Sequence, residues 1–237
     1  MMRKVAPDVI SLLTRPVYGI PQVDRILGLP SGTSRRWIDG YRRGGKQYPP
    51  VIREESTGDD TVTWGEFVET RLLSEYRDAG VPLLRMRPAI EVLREELDTL
   101  YPLASARTWL SAYGPELVRG VQDRVGLDTQ LALVTVRTGQ TLLEWAKRAD
   151  DFRRSVEWSG ETDEAHPRLL RPIPDIPDVE VDPLRGFGEP VVRGVRTDII
   201  AELVRAGDSP EMIAELYDLS RERVDSAVRY ELVRAAA

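Results

Sequence analysis

Apolar side chains divide this chain into short amphipathic segments punctuated by glycine and proline. In "GIPQVDRILGLP", Ile20, Val23, Ile26 and Leu27 recur at helical spacing. Gly28 is placed to end that helix, and Pro30 prevents its continuation. "SGTSRRWIDGY" predicts a second short helix, with Ser31 or Thr33 as its cap, Trp37 and Ile38 turned inward, and Gly40 as its stop. Two short helices joined by a tight turn are a helix-turn-helix signal. "YRRGGKQYPPVI" follows as a basic, Gly-rich loop, and its last apolar residues fit a short strand over 51–53.

Beyond the "ESTGDD" turn, "TVTWGEFVETRLLSEYRDAG" predicts a strong helix in which Thr63 and Glu66 form a capping box. Met86, Ile90, Leu93 and Leu97 mark another helix, so 63–100 reads as a helical hairpin or small bundle. Shorter helices are expected around 104–112 and 115–122. Leu131, Leu133, Val134 and Val136, then the turn "RTGQ" and a second apolar run, predict a small β-hairpin. The Pro- and acid-rich stretch from Trp158 to Pro183 reads as an extended connector with a short strand near 179–181. The last segment predicts three helices. Asp198, Ser209 and Ser220 are their expected caps, Gly207 ends the first, and Pro210 opens the second. The fold class is therefore mainly α: a winged helix-turn-helix head over 1–58, a helical middle region over 59–125, a β-hairpin and connector over 126–180, and a C-terminal trihelical, helix-turn-helix-like domain over 181–237.

Charge sharpens this picture. The net charge is −6, yet residues 1–53 carry ten basic and three acidic side chains, a net of +7, which leaves −13 for the rest. An acidic body repels nucleic acid, but phosphate binding is local, and a basic head can supply it. A solvated arginine-rich face is the plain alternative. The C-terminal unit, 191–237, holds seven basic and nine acidic residues and is the poorer phosphate surface. Dimerisation or partner binding suits it better.

Several chemistries fall away. With no cysteine and His166 as the single histidine, thiolate and His-rich metal sites have no ligands. "RGFGEP" and "GLPSGTS" match neither G-x-G-x-x-G nor a P-loop. The acidic pairs Glu54–Glu55, Asp59–Asp60 and Asp150–Asp151 read as solvated surface, His166 as a surface or hydrogen-bonded structural residue, and most of the five tryptophans as core. No catalytic residue, metal or cofactor is implied. No apolar run spans a membrane, and the N-terminus lacks an export signal's apolar core, so a cytoplasmic protein is expected.

Three stretches carry a family resemblance: "YGIPQVDRILGLPSGTSRRWI", "VTWGEFVETRLLSEYRDAGVPLLRMRPAIEVLREEL", and "VDPLRGFGEPVVRGVRT" with "GDSPEMIAELYDLSRERVDSAVRYE". The chain resembles the larger VapB-like antitoxins of bacterial type II toxin–antitoxin modules, with a MerR-like DNA-binding head and an antitoxin-associated C-terminal domain. It departs at Gln22-Val23-Asp24, where relatives have an acidic-Ala-Ala start, and at Ser34, where they have an apolar residue. The resemblance implies a PIN-like ribonuclease toxin as partner, operator DNA as a second, autorepression, and a homodimer or larger toxin–antitoxin assembly. A MerR-like regulator that senses a small molecule without a toxin fits the same head.

Helix 32–40 is the expected recognition element. Its free backbone N–H groups and Thr33 or Ser34 are expected to approach phosphate, Arg35 and Arg36 to reach the groove, and Arg42, Arg43 and Lys46 to form a wing on the backbone. Arg168, Arg171 and Arg185 are the candidates for toxin contact, from location and charge.

Overall fold

Strand β1 (Pro16–Gly19) runs directly into helix α1 (Ile20–Leu27), where Ile20, Val23, Ile26 and Leu27 are buried as their spacing predicts. The computed structural model describes residues 12–77, 80–136, 143–161 and 165–235. Gly28 closes α1 in the left-handed conformation at φ 60. Helix α2 (Thr33–Ile38) follows. Strands β2 (Tyr41–Arg43) and β3 (Lys46–Tyr48) then form a hairpin where the sequence suggested a loop. The expected strand over 51–53 is instead a series of bends. Val51 and Ile52 are buried, and both N–H groups donate to the Trp37 carbonyl at the end of α2.

Strand β4 (Thr61–Thr63) returns to pair antiparallel with β1, setting Tyr18 opposite Val62. It leads into α3 (Trp64–Tyr76), whose predicted capping box is present: Glu66 N–H donates to Thr63 Oγ1 at 3.2 Å, and Thr63 N–H donates to Glu66 Oε2 at 2.8 Å. Eleven of the thirteen α3 residues are buried, so this helix is the axis around which the first core assembles. Helix α7 (Lys147–Ser155) packs against it, and α4 (Arg87–Leu97), α5 (Ala106–Trp109) and α6 (Gly114–Val125), packed on one another, join the same core. The predicted hairpin is present as β5 (Val134–Val136) and β6 (Leu143–Trp145), while its "RTGQ" turn lies outside the described residues.

The expected connector holds more structure than its composition suggests. Strands β7 (Val156–Ser159) and β8 (His166–Leu170) form a further antiparallel pair, anchored by Trp64 Nε1–H donating 2.6 Å to the Pro167 carbonyl. Single bridges then link Leu170 to Val181 and Glu180 to Val191. The C-terminal unit is a small hairpin, β9 (Val191–Val192) and β10 (Val195–Arg196), followed by α8 (Thr197–Ala206), α9 (Pro210–Tyr217) and α10 (Arg221–Ala235). Ser209 caps α9 as expected, accepting from Met212 N–H at 3.2 Å. Asp198 does not cap α8. It lies inside the first turn, paired with Arg196, which holds the cap position.

The fold is mainly helical, with a winged head and a helical C-terminal unit as expected. Two apolar clusters organise it. The first runs from Leu12 to Val181 and contains or borders all five tryptophans. The second joins Ile176 and Val179 to Val192, Ile200, Ile213, Val224, Ala227 and Tyr230.

One carboxyl is buried at the centre of the first core. Glu69 Oε1 accepts from Leu103 N–H at 2.9 Å, while Oε2 has no hydrogen-bond partner among the described residues. Burial pushes its pKa from 4.5 up to about 8, against the smaller lowering effects of the Leu103 bond and Arg94. The folded state therefore holds a proton that the unfolded chain releases. The associated stability is complete below pH 4.5 and is lost as pH rises through about 8. Glu69→Gln should remove this dependence, flattening stability by about 1.4 kcal/mol per pH unit between those limits. Urea unfolding of both proteins at a series of pH values reads the difference, and equal slopes would refute the assignment.

Candidate nucleic-acid interface

The geometry of the head starts at Asp24, which is buried on α1. Its Oδ2 accepts from Gly32 N–H and its Oδ1 from Ser34 N–H, both at 2.7 Å. The cap of α2 is thus a carboxylate from the preceding helix, and neither Ser31 nor Thr33 takes that role. Gly32 stands at the cap position in the left-handed conformation, φ 78, which leaves no capping side chain there. The backbone donors expected to meet phosphate are therefore partly occupied. Ser34 is fully buried, and its hydroxyl donates 3.0 Å to the Ile20 carbonyl. Thr33 is buried too, and its hydroxyl accepts from Arg36 at 3.0 Å. Ser34 thus ties α2 to α1, Thr33 is bonded within α2, and both side chains are buried. Trp37 is half-buried, and Ile38 is fully buried.

The wing is sharply defined. Gly44 and Gly45 have φ of 57 and 76, the pair of left-handed residues that a two-residue hairpin loop with the strands' own twist requires. Tyr41 and Tyr48 face each other across the strands with rings stacked at 4.6 Å. Arg42 donates 2.6 Å to Gln47, and Lys46 lies 5.2 Å over the Tyr48 ring. Arg43 has no side-chain partner among the described residues, and all of Arg42, Arg43 and Lys46 are exposed. The wing's junction with α2 admits only glycine: a Cβ on Gly40 would stand 2.6 Å from the Tyr48 carbonyl oxygen.

Neutralisation inside the head decides which charges remain outside. Asp39 accepts from Thr57 N–H at 2.7 Å, Gly58 N–H at 3.1 Å and the Arg53 guanidinium at 3.1 Å. Burial alone would raise its pKa, but these bonds and one from Ser56 outweigh that and hold it below the ordinary range. Arg53, enclosed between Asp39 and Glu66, belongs to the interior. Arg25 pairs with Glu189 at 2.9 Å, and Arg35 pairs with Asp60. Arg36, Arg42, Arg43 and Lys46 form no ion pair among the described residues, and all four are exposed. Asp24 and Asp39 point inward to backbone donors and Arg53 and pair with none of the four.

The C-terminal unit has the opposite character. Arg221 pairs with Glu211 at 2.9 Å, Arg223 with Asp178 at 3.7 Å and Arg234 with Glu231 at 3.1 Å, and Arg229 donates 3.0 Å to the Asp175 carbonyl. Every arginine of α10 is engaged. Tyr230 on the same helix is buried and donates 2.7 Å to the Ile26 carbonyl of α1. This unit packs onto the first helix of the head and leaves Arg36 and the wing uncovered.

The three arginines expected to meet a toxin are all paired along 180–182, two of them at Asp182 and the third at Glu180. Arg168 pairs with Glu157 at 2.5 Å and Asp182 at 3.5 Å, and Arg171 reaches Glu180 at 3.7 Å. Arg185 pairs loosely with Asp182 at 3.8 Å, and its side chain is 77% exposed. Among the described residues, no group of three or more metal-ligating side chains converges, and no helix is long and apolar enough to cross a membrane.

Comparison with known proteins places this geometry in a family. Residues 16–90 match the family described as a putative DNA-binding HTH domain, and residues 179–230 match a protein family of unknown function, DUF433. Over 240 aligned residues the chain is 40% identical to the uncharacterized protein Rv2308 of Mycobacterium tuberculosis, covering 97% of this chain and 98% of that protein. The chain belongs to the Rv2308 family. It is also 26% identical to the putative antitoxin VapB45 of the same organism, over 90% of this chain and 92% of the relative. The crystal structure of Rv2018 from M. tuberculosis shares the fold, with a TM-score of 0.71, 24% identity, and coverage of 90% of this chain and 97% of that one. This Rv2308-family protein is thus an antitoxin-like chain with an N-terminal helix-turn-helix domain.

Sequence reasoning missed Arg25 and Asp24 as structural residues of this site. Arg25 has its partner 164 positions away, so no local pattern could reveal the pair. Asp24 had a signal: an acid on α1 lying eight positions before Gly32, with no acidic residue in the first turn of α2. Asp24→Ala should destabilise the protein by about 2 kcal/mol, since it removes a cap and strands two N–H groups. Chemical denaturation measures this, and a change below a few tenths of that value would remove Asp24 from its assigned role.

Proposed function

We propose that this protein is an antitoxin and DNA-binding autorepressor that reads operator DNA with α2 and its wing and neutralises a PIN-like ribonuclease. The observation that carries the DNA half is the set of exposed cations without ion-pair partners at Arg36, Arg42, Arg43 and Lys46, beside a helix-turn-helix whose own acids are turned inward. The antitoxin half is supported by the similarity to VapB45, which extends over nearly the whole chain. The sensor alternative has less support. The recess of about 610 Å³ beside α4 is open and mainly charged, unlike a closed apolar effector pocket.

Within this reading Arg36 is the base-reading candidate, and Arg35 joins it once Asp60 releases it. Arg42, Arg43 and Lys46 hold phosphate. Two copies would place two heads on two half-sites. Arg42→Ala and Arg43→Ala should weaken operator and scrambled duplexes equally, and each should lower the salt dependence by about 0.9 for every phosphate it ceases to neutralise. Arg36→Ala should cost about 1–3 kcal/mol on operator DNA and less on scrambled DNA. Fluorescence anisotropy with the upstream duplex over a salt series tests both, with circular dichroism to establish folding. Wild-type binding by all the folded variants would make the basic surface a solvated face.

The toxin half is tested in cells that express the PIN-like ribonuclease. Full-length protein should restore growth, and Arg185→Glu should weaken the rescue more than Arg168→Glu, because Arg168 is already held by Glu157 and Asp182. Soluble protein that fails to rescue would exclude neutralisation.

A further inference from the structure

The loop between Asp182 and Pro190 places apolar side chains in water and holds them there. Gly186, Phe187 and Gly188 are successively left-handed, with φ of 56, 58 and 75. For phenylalanine that conformation is strained and persists only where neighbours impose it. The neighbours are present. Buried Asp182 accepts from Leu184 N–H at 2.8 Å, and Gly188 N–H donates 2.9 Å to the Arg185 carbonyl. From the head, Tyr18 Oη–H donates 3.0 Å to the Gly188 carbonyl, and Gln22 and Arg25 hold Glu189 at 2.7 and 2.9 Å. The result is a rigid knob in which Leu184 is 61% and Phe187 92% exposed, with Arg185 between them. An isolated chain gains nothing from this arrangement.

The same chain carries its complement. The 610 Å³ recess lies at the C-terminal end of α4 and is lined by Glu54, Glu91, Glu95, Asp98 and Leu100, with Arg94. Glu54 and Glu91 are satisfied by Arg94 and Arg87. Glu95 and Asp98 are exposed and form no ion pair among the described residues, Arg94 being turned to Glu54 and the Leu100 carbonyl, and Leu100 beside them is 60% exposed. An apolar side chain with unmatched carboxylates is the counterpart of an apolar knob with an exposed guanidinium.

We propose that the knob of one copy docks into the recess of a second, while the second copy's knob enters the recess of the first. Phe187 and Leu184 cover Leu100, and Arg185 is received by Glu95 and Asp98. Reciprocal exchange closes as a two-fold dimer; a one-way contact would propagate as a filament. The dimer's purpose rests on the DNA-binding reading, since it supplies the second head, but the association does not depend on DNA. Each aromatic buries roughly 150–250 Å², so two knobs fall short of the roughly 1,200 Å² of a stable interface. The dimer is accordingly weak, concentration-dependent and sensitive to salt.

Sedimentation velocity of the full chain over a wide concentration series, without DNA, tests this. Wild-type protein should pass from monomer to dimer, and added salt should oppose the change. Arg185→Glu, and Glu95→Arg combined with Asp98→Arg, should each weaken association at least about tenfold. Mixed together, those two variants should restore it, because each knob then meets a recess of opposite charge. Phe187→Gly should melt at a higher temperature than wild type, its strain relieved, and yet remain monomeric. A wild-type protein that stays monomeric, a dimer that persists in the variants, or a mixture that fails to associate would overturn the proposal. Loss of DNA binding in the wing variants would leave it standing, and its failure would leave the DNA reading untouched.

Discussion

The Asp24 carboxylate reaches from α1 to the first N–H groups of α2 and fixes one helix against the other through two 2.7 Å bonds. A charge buried at that position is tolerable because it meets the positive end of a helix and two otherwise unpaired donors. Much of the head follows from it. With α2 held in place, the Trp37 carbonyl receives both Val51 and Ile52, and Gly40 lets the wing leave at close quarters with Tyr48. Asp39 repeats the device at the other end of α2, closing the 56–58 turn. With its two acids turned inward onto backbone donors and Arg53, the head presents its exposed cations on a surface that those acids do not pair.

Local pattern made much of this legible. The α1 periodicity, the Thr63–Glu66 box, the β5–β6 pair and Ser209 with Pro210 each depend on residues within a few positions of one another. What escaped depends on partners far away in the chain. The β7–β8 pair looked like connector because its strands are short and proline-bearing; it is held by Trp64, 103 positions earlier. Helix α7 had local signals, Lys147–Asp151 and Asp150–Arg154 at helical spacing with Ala149 and Phe152 buried, but they sat between stronger strand and proline cues. At the interface, residue type alone placed Ser34 and Thr33 with the DNA contacts. Small hydroxyls at a helix start serve equally well as internal ties, and burial decides between those roles. The exposed wing cations needed no such decision, since a Gly-Gly turn between basic residues has nowhere to hide them.

The acidic body and the basic head are not independent. Where the C-terminal unit meets α1, it brings Glu189 to Arg25 and Gln22, Tyr230 to the Ile26 carbonyl, and Gly188 to Tyr18. Arg25 is thereby withdrawn from the basic surface and made part of a clasp. Gly188 cannot be replaced without conflict, since a Cβ there would approach Tyr18 Oη to 2.8 Å. The unit that resembles a second helix-turn-helix has its third helix closed on one side by this clasp and neutralised on the other by Glu211, Asp178 and Glu231. Its geometry serves packing.

The clasp also links the two surfaces for which recognition is proposed. The residues that fix the knob at 184–187 are residues of the helix-turn-helix head: Tyr18 lies near the end of β1, and Gln22 and Arg25 stand on α1 within one turn of Asp24. A force applied to the knob by a partner therefore acts on the helix that orients α2. The converse holds by linkage, because any stabilisation of α1 by bound DNA also stabilises the loop that presents Phe187. In the proposed reading, a basic contact for phosphate and an apolar one for protein share α1, which Asp24 ties to α2 through two backbone bonds.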